Sequence, residues 1–218
     1  MGFFLVGFAV GAATLGLVAA VDLGFGLVTI STTPLISPIM MIALLGFGLT
    51  AALAGALLEE LVFRGSLFSH AGSLPAWAAM LLISVPFAAL HVMSSGFGMG
   101  FVSAAVIGSI FFALIRLATG NLAFAIGWHA AWNFMQYSVL GLATIGSANG
   151  GHALVQFTRR SNADIWLGQG QSIEGGIVAG SAILLSALAA FVIAHRKGVR
   201  LSQSLDAAMA QFARVRDD

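Results

Sequence analysis

From Pro38 to Leu58 the chain carries no charged side chain, and it then sets two carboxylates side by side at Glu59 and Glu60. A helix crosses a bilayer with about 20 apolar residues, so this run is long enough to span. An ionised side chain near the bilayer centre costs roughly 2.5–3.5 kcal/mol on insertion scales. Two acids there, with Arg64 one turn further on, need a reason to exist. The rest of the chain obeys the same constraint. Hydrophobic residues make up 59% of it and charged residues 8%, against about 25% charged in a soluble domain.

Read in order, the apolar runs predict an all-α, polytopic transmembrane helix bundle of about six spans. Gly2 to Val21 is the first, closed by Asp22. Leu23 to Ser37 reads as a loop. Ile39 to about His70 is the second, preceded by Pro38, and Ala71 to Leu74 is a turn. Pro75 to about Met93 is the third, interrupted by Pro86. Gly96, Gly98 and Gly100 mark a turn before Phe101 to Leu117. Thr119, Gly120 and Asn121 turn the chain into Leu122 to about Ile145. Gly146 to Gly176 is a polar loop, and Ile177 to Ala194 is the last span. Residues 1–195 thus form one membrane domain, and 196–218 a charged cytoplasmic tail that suits a surface helix. The 27 glycines suit close helix packing in lipid. No basic segment precedes the first apolar run, so a cleavable signal peptide is not expected.

Six crossings put both termini on one side. With the termini cytoplasmic, Arg64, Arg116, Arg196, Lys197, Arg200, Arg214 and Arg216 lie inside, and Arg159 and Arg160 outside. That charge bias places the termini in the cytoplasm, with a bacterial inner or plasma membrane as the expected location. A net charge of +1 offers no basic field for nucleic acid. The absence of cysteine excludes disulfides, thiolate nucleophiles and Cys-ligated metals.

Depth decides whether the intramembrane polar groups meet. With the turns near Ser69–Pro75 and near Asn121 taken as a common floor, Glu59 lies roughly 15 Å up, His129 roughly 12 Å, Asn133 roughly 18 Å and His91 roughly 24 Å, at 1.5 Å per helical residue. All fall in the central slab, which predicts one polar cluster inside the membrane. Glu60 and Arg64 are i,i+4 and share a face, so they pair. Glu59 lies about 100° round the helix and is left to face the histidines. His129 and Asn133 are also i,i+4. A desolvated glutamate suits proton abstraction near neutrality.

These residues resemble the CAAX prenyl endopeptidase and bacteriocin-processing (CPBP, or Abi) family of intramembrane proteases. Its three dispersed motifs are E-E-x-x-x-R, here Glu59, Glu60 and Arg64; F-x-x-x-H, here Phe87 and His91; and H-x-x-x-N, here His129 and Asn133. The stretch Gly127 to Phe134 and the late Glu174-Gly175-Gly176 also look like the bacterial members. The resemblance covers about 51–194. It implies an endopeptidase acting on a peptide or protein, membrane-anchored or not. Glu59 with His91 would activate a water, His129 and Asn133 would stabilise the oxyanion, and Glu60 and Arg64 would support the site. It also implies either a metal-free glutamate mechanism or a divalent metal, zinc, held by Glu59, His91 and His129. Two histidines and a glutamate suit zinc, but the H-E-x-x-H helix is absent.

Blander readings stand beside these. The two acids would sit in water if the helix ended there, His91 would be a packing histidine, and His129 and Asn133 would bond between helices. His70, His152 and His195 fall in flanks or loops, and Arg116 reads as a surface anchor. Trp77, Trp128, Trp132 and Trp166 read as packing or interfacial residues. Ser94-Ser95-Gly96 lacks the G-x-S-G form of a rhomboid-type serine site. The alternative function is a catalytically silent scaffold or bacteriocin-immunity protein of the same fold. A proton-coupled transporter would be expected to show an inverted repeat, which the chain lacks.

Overall fold

The computed structural model describes residues 1–31, 37–95, 98–142, 153–160, 163–168 and 172–214. Helix α1 is Gly2–Gly24 and α2 is Pro38–Glu60; α2 continues through a π-helical stretch, Leu61–Leu67, into α3, Phe68–His70. Then come α4 (Ala76–Ser95), α5 (Met99–Thr119) and α6 (Ala123–Phe134), the last running on as a second π-helical stretch, Met135–Val139. The short α7 (Asp164–Leu167) precedes α8 (Ile177–Arg196) and α9 (Leu205–Arg214). Among the described residues, five helices are long and apolar enough to cross a membrane: Gly2–Gly24, Pro38–His70, Ala76–Met93, Met99–Thr119 and Ile177–Arg196. The molecule is an all-α polytopic bundle. The fifth expected span, Leu122 to about Ile145, is shorter than its apolar run implied, leaving the helix at Val139.

Local chemistry sets the ends. The Ser37 hydroxyl accepts from the Met40 amide and Pro38 opens α2, the usual helix start. Gly120, at φ +70°, closes α5 in the left-handed region. The Asn121 side chain then accepts from the Ala123 amide and starts α6. Asp22 departs from expectation. It does not close the first span, because α1 continues to Gly24 with Asp22 wholly buried.

Helices α1 and α6 form the tightest seam. A methyl group on Gly7 would overlap the Phe124 carbonyl, one on Gly11 the Trp128 carbonyl, and one on Gly127 the Phe4 carbonyl. Without apolar solvent release to drive association in lipid, such close backbone approach supplies the packing. Because Gly7 meets Phe124 and Gly11 meets Trp128, the two helices run parallel and α6 is pinned in register. Helix α2 lies outside this seam. Its Ile39, Ile42, Phe47 and Leu58 remain exposed, as a lipid-facing surface should.

One end of the bundle gathers the α3–α4 turn, the end of α5 and the tail. The amides of Ala76 and Trp77 donate to Gln203 and Leu201, the Leu205 amide donates to Leu74, and Lys197 Nζ donates to the Ala118 carbonyl at 2.8 Å. The tail is therefore docked, with Leu205 and Ala208 buried. At the other end, two stretches read as loops pair instead. Val28–Ser31 (β1) and Gln156–Arg159 (β2) form an antiparallel ladder, Val28 opposite Arg159. Strands of four residues separated by more than a hundred positions leave no local pattern to read.

Candidate active site

Arg64 and Glu60 are both fully buried and lie 3.0 Å apart. Phe87, Phe112 and Phe63 surround the guanidinium, with the Phe87 ring centroid 4.2 Å from its Cζ. Aromatic faces attract the cation where water is absent. The i,i+4 pairing is the one the spacing predicts. The structure adds a second partner: His129 Nδ1 donates to Glu60 Oε1 at 3.1 Å. That oxygen only accepts, so it fixes the proton on Nδ1 and turns Nε2 the other way. The His129 ring also stacks on Phe112 at 5.0 Å.

His91 is held in the same manner. Its Nδ1 donates to the Phe87 carbonyl at 2.9 Å, one turn back along α4. Its Nε2 lies 3.8 Å from Glu59 Oε2, and His129 Nε2 lies 3.9 Å from the same oxygen. Glu59 Oε2 is enclosed and has no hydrogen-bond partner. Straight parallel helices would part Glu59 and His91 by about 9 Å in depth. The contact requires α4 to lean or bend, and Pro86, inside the helix and five residues before His91, is a residue type that bends helices.

Two of the three helices that carry the cluster, α2 and α6, change winding beside it. The π-helical stretch Leu61–Leu67 begins directly after Glu60, and Met135–Val139 begins two residues after Asn133. Single π turns inside α-helices are frequent at functional sites. Here the first carries Arg64 back onto Glu60.

The cluster opens into a cavity of about 220 Å³. Glu59, His91, His129 and Asn133 line it, together with Trp132, Tyr137, Ser172 and Glu174. Glu174 sits on a 3-10 turn, Ile173–Gly175, at the head of α8. Trp132 Nε1 donates to its Oε1 at 2.9 Å, Gln136 Nε2 donates to Oε2 at 3.3 Å, and the Ser172 hydroxyl also contacts Oε2. Enclosure pushes the Glu174 pKa up. The hydrogen bonds and the nearby His91 pull it down less strongly.

The structure thus brings Glu59, Glu60, Arg64, His91 and His129 into contact, with Asn133 on the cavity wall. Trp132, read as packing, and Gln136, not singled out at all, belong to the site region. The signal was available, since His129, Trp132, Asn133 and Gln136 follow the 3, 4, 7 spacing of one helix face. His70 bonds to the Ser66 carbonyl and His195 packs beside Phe191, both away from the cluster. His152 lies outside the described residues. Arg64, counted above as an inner-surface charge, is in the core instead and says nothing about orientation.

The donor types around Glu59 Oε2 suit zinc, and both imidazoles are anchored through Nδ1 as metal-binding histidines are. The spacing is wider than a bound zinc would set: Zn–N and Zn–O bonds of about 2.0–2.2 Å put tetrahedral ligands about 3.3–3.6 Å apart, and the two separations here are 3.8 and 3.9 Å. Among the described residues, no group of three His, Cys, Asp or Glu is gathered tightly enough to hold a metal ion.

No curated protein and no solved structure matches this chain. A family model does: the type II CAAX prenyl endopeptidase Rce1-like family matches residues 41–135. That window holds Glu59, Glu60, Arg64, Phe87, His91, His129 and Asn133, and stops short of Glu174. Over residues 41–135 the chain is similar to the Rce1-like type II CAAX prenyl endopeptidase family, the group its three motifs resemble.

Proposed function

We propose that this chain is an intramembrane endopeptidase that hydrolyses peptide bonds with a water activated by Glu59 and His91. The observation that carries the reading is the convergence of two imidazole Nε2 atoms on one enclosed, unpartnered carboxylate oxygen at 3.8 and 3.9 Å. A water placed between these groups would give a proton to Glu59. His91, held by the Phe87 carbonyl, would orient its lone pair towards the substrate carbonyl carbon. The general-base contribution is about 10²–10⁴-fold in rate. His129 and the Asn133 amide, lining the same cavity, are the donors for the oxyanion, where one such donor is worth about 10²–10³-fold. Glu60 and Arg64 do not touch substrate in this scheme; they hold His129 in its tautomer.

The substrate is a peptide or protein segment that reaches the cavity from the bilayer or its edge. Both termini are cytoplasmic. The bundle end holding the α3–α4 turn and the docked tail carries Arg116, Arg196, Lys197 and Arg200, while Arg159 and Arg160 lie at the other end.

The decisive experiment uses purified protein and a mixed peptide library, comparing wild type with Glu59→Gln, His91→Ala and His129→Ala and assaying metal content alongside. Cleavage by wild type alone, with no bound metal, is the expected result. Stoichiometric zinc in the wild type, lost in the three variants, would replace the water-only scheme by a metalloprotease. Cleavage by Glu59→Gln at the wild-type rate would sink the Glu59 mechanism, and absence of cleavage by well-folded wild type would favour a silent scaffold or immunity protein.

A further inference from the structure

Two carboxyl groups, Glu59 and Glu174, line the cavity, and the attack on the carbonyl uses only Glu59. Residues of α6 contact both. His129 reaches Glu59, and Trp132 and Gln136, one and two turns further along the same face, reach Glu174. Three to seven helical residues separate those anchor points, roughly 5–10 Å of rise along α6. A pair of carboxyl groups that must bracket a water and a scissile bond needs a gap of about this size; inverting glycosidases use about 6.5–9.5 Å.

The turn that carries Glu174 is built into this position. A methyl on Gly100 would overlap the Gly175 carbonyl, and one on Gly175 would press on the Phe101 amide, so the turn lies directly against the head of α5. Neutral donors, not a cation, hold the carboxyl: the Trp132 indole, the Gln136 amide and the Ser172 hydroxyl. The titratable groups that share its surroundings are Glu59 from α2, His91 from α4, His129 from α6, Tyr137 from the π stretch and, in the adjoining hollow, Asp164 from α7. Helices α5 and α8 present only apolar residues and glycine to it.

We propose that Glu174 is the proton donor to the departing amine, which rests on the peptidase reading of the Glu59 site. The water oxygen bonds to the carbonyl carbon while Glu59 takes one of its protons. The C–N bond then breaks, the nitrogen keeps the electron pair, and it takes the proton from the Glu174 carboxyl. One water is consumed, and one acid and one amine are released. The proton on Glu59 returns to solvent, and solvent re-protonates Glu174. Enclosure favours the protonated carboxyl before each turnover, and a carboxyl whose pKa is raised is charged only at higher pH.

The test compares Glu174→Gln with wild type on a cleaved peptide and on its ester counterpart, whose alcohol leaves without needing a proton, across pH. Glu174→Gln should slow the peptide by about 10²-fold or more, lose the alkaline limb of the kcat/KM profile, and hydrolyse the ester at nearly the wild-type rate. Parallel slowing of peptide and ester, or an unchanged alkaline limb, would overturn the assignment. Glu174→Asp guards against a folding defect. It keeps an acid and should keep the alkaline limb, and loss of that limb in a folded Glu174→Asp would count against the donor role. Glu59→Gln separates the two readings: wild-type cleavage by it sinks both, whereas a dead Glu59→Gln beside an ester-impaired Glu174→Gln sinks only the donor.

Discussion

Glu60 and Glu59 share one helical turn and occupy opposite surroundings. Glu60 is sealed, accepting from Arg64 and from His129 Nδ1, with three phenylalanine rings closing over the cation. Glu59 keeps a quarter of its side chain open to the cavity, with one oxygen enclosed and unpartnered between two imidazoles. The closed half pairs its opposite charges at 3.0 Å and seals them from water, with Glu60 Oε2 and Arg64 Nε and Nη2 making no hydrogen bond. The open half sets its unfilled acceptor between two imidazoles at the cavity, a cost tolerated where chemistry is to happen. His129 joins the two halves, with one ring nitrogen in each.

The comparison breaks most severely at Arg64. Removing one partner of a buried pair strands the other charge and costs about 3–5 kcal/mol. Arg64→Ala should therefore lose thermal stability in detergent before any question of activity arises. A well-folded Arg64→Ala, judged by melting and by monodisperse elution, would mean that the closed half is not structural. Glu59→Gln should do the reverse. It keeps the shape and removes the proton acceptor, so cleavage should fall about 10²–10⁴-fold with the melting temperature unmoved. A marked drop in melting temperature would place Glu59 in the closed half as well.

A double variant sharpens the boundary. Replacing a buried ion pair by apolar residues of similar volume is often neutral or stabilising. Glu60→Leu combined with Arg64→Met should melt close to wild type, unlike Arg64→Ala alone. It also removes the acceptor that orients His129, and loss of such an orienting partner costs about 10–100-fold in activity. Stability restored with activity still depressed is the expected pattern. Full recovery of activity would show that the Phe112 stack alone orients the ring.

Much of this division was legible in the chain. The 100° step between neighbouring helical residues separates Glu59 from Glu60, and the i,i+4 spacing joins Glu60 to Arg64. The apolar runs locate the long helices because the lipid constraint acts on every residue of a span. What was not legible is of another kind. The Glu60–His129 bond joins residues 69 positions apart, and no local pattern encodes it. The two π stretches have the same apolar composition as the α-helix around them. The β1–β2 ladder is short and long-range, and Glu174 is positioned by glycine contacts with α5 that only the packed chain reveals.

Phe87 is where the two halves are hardest to tell apart, and its substitution should have the smallest effect. Its ring lies 4.2 Å from the Arg64 Cζ and 4.3 Å from the His91 ring, so it touches both. Its functional-looking contact, however, is through the backbone, since the carbonyl rather than the ring accepts from His91 Nδ1. Phe87→Leu leaves that carbonyl in place and removes a desolvated cation–π contact worth about 1–2 kcal/mol. The melting temperature should fall by several degrees, at about 2–4 °C per kcal/mol for a domain of this size. Cleavage should change by no more than about threefold, because His91 keeps its tautomer through the carbonyl bond. A loss of activity as deep as that of Glu59→Gln, with melting unchanged, would move the ring into the open half and make the aromatic face, rather than the carbonyl, the element that aims His91.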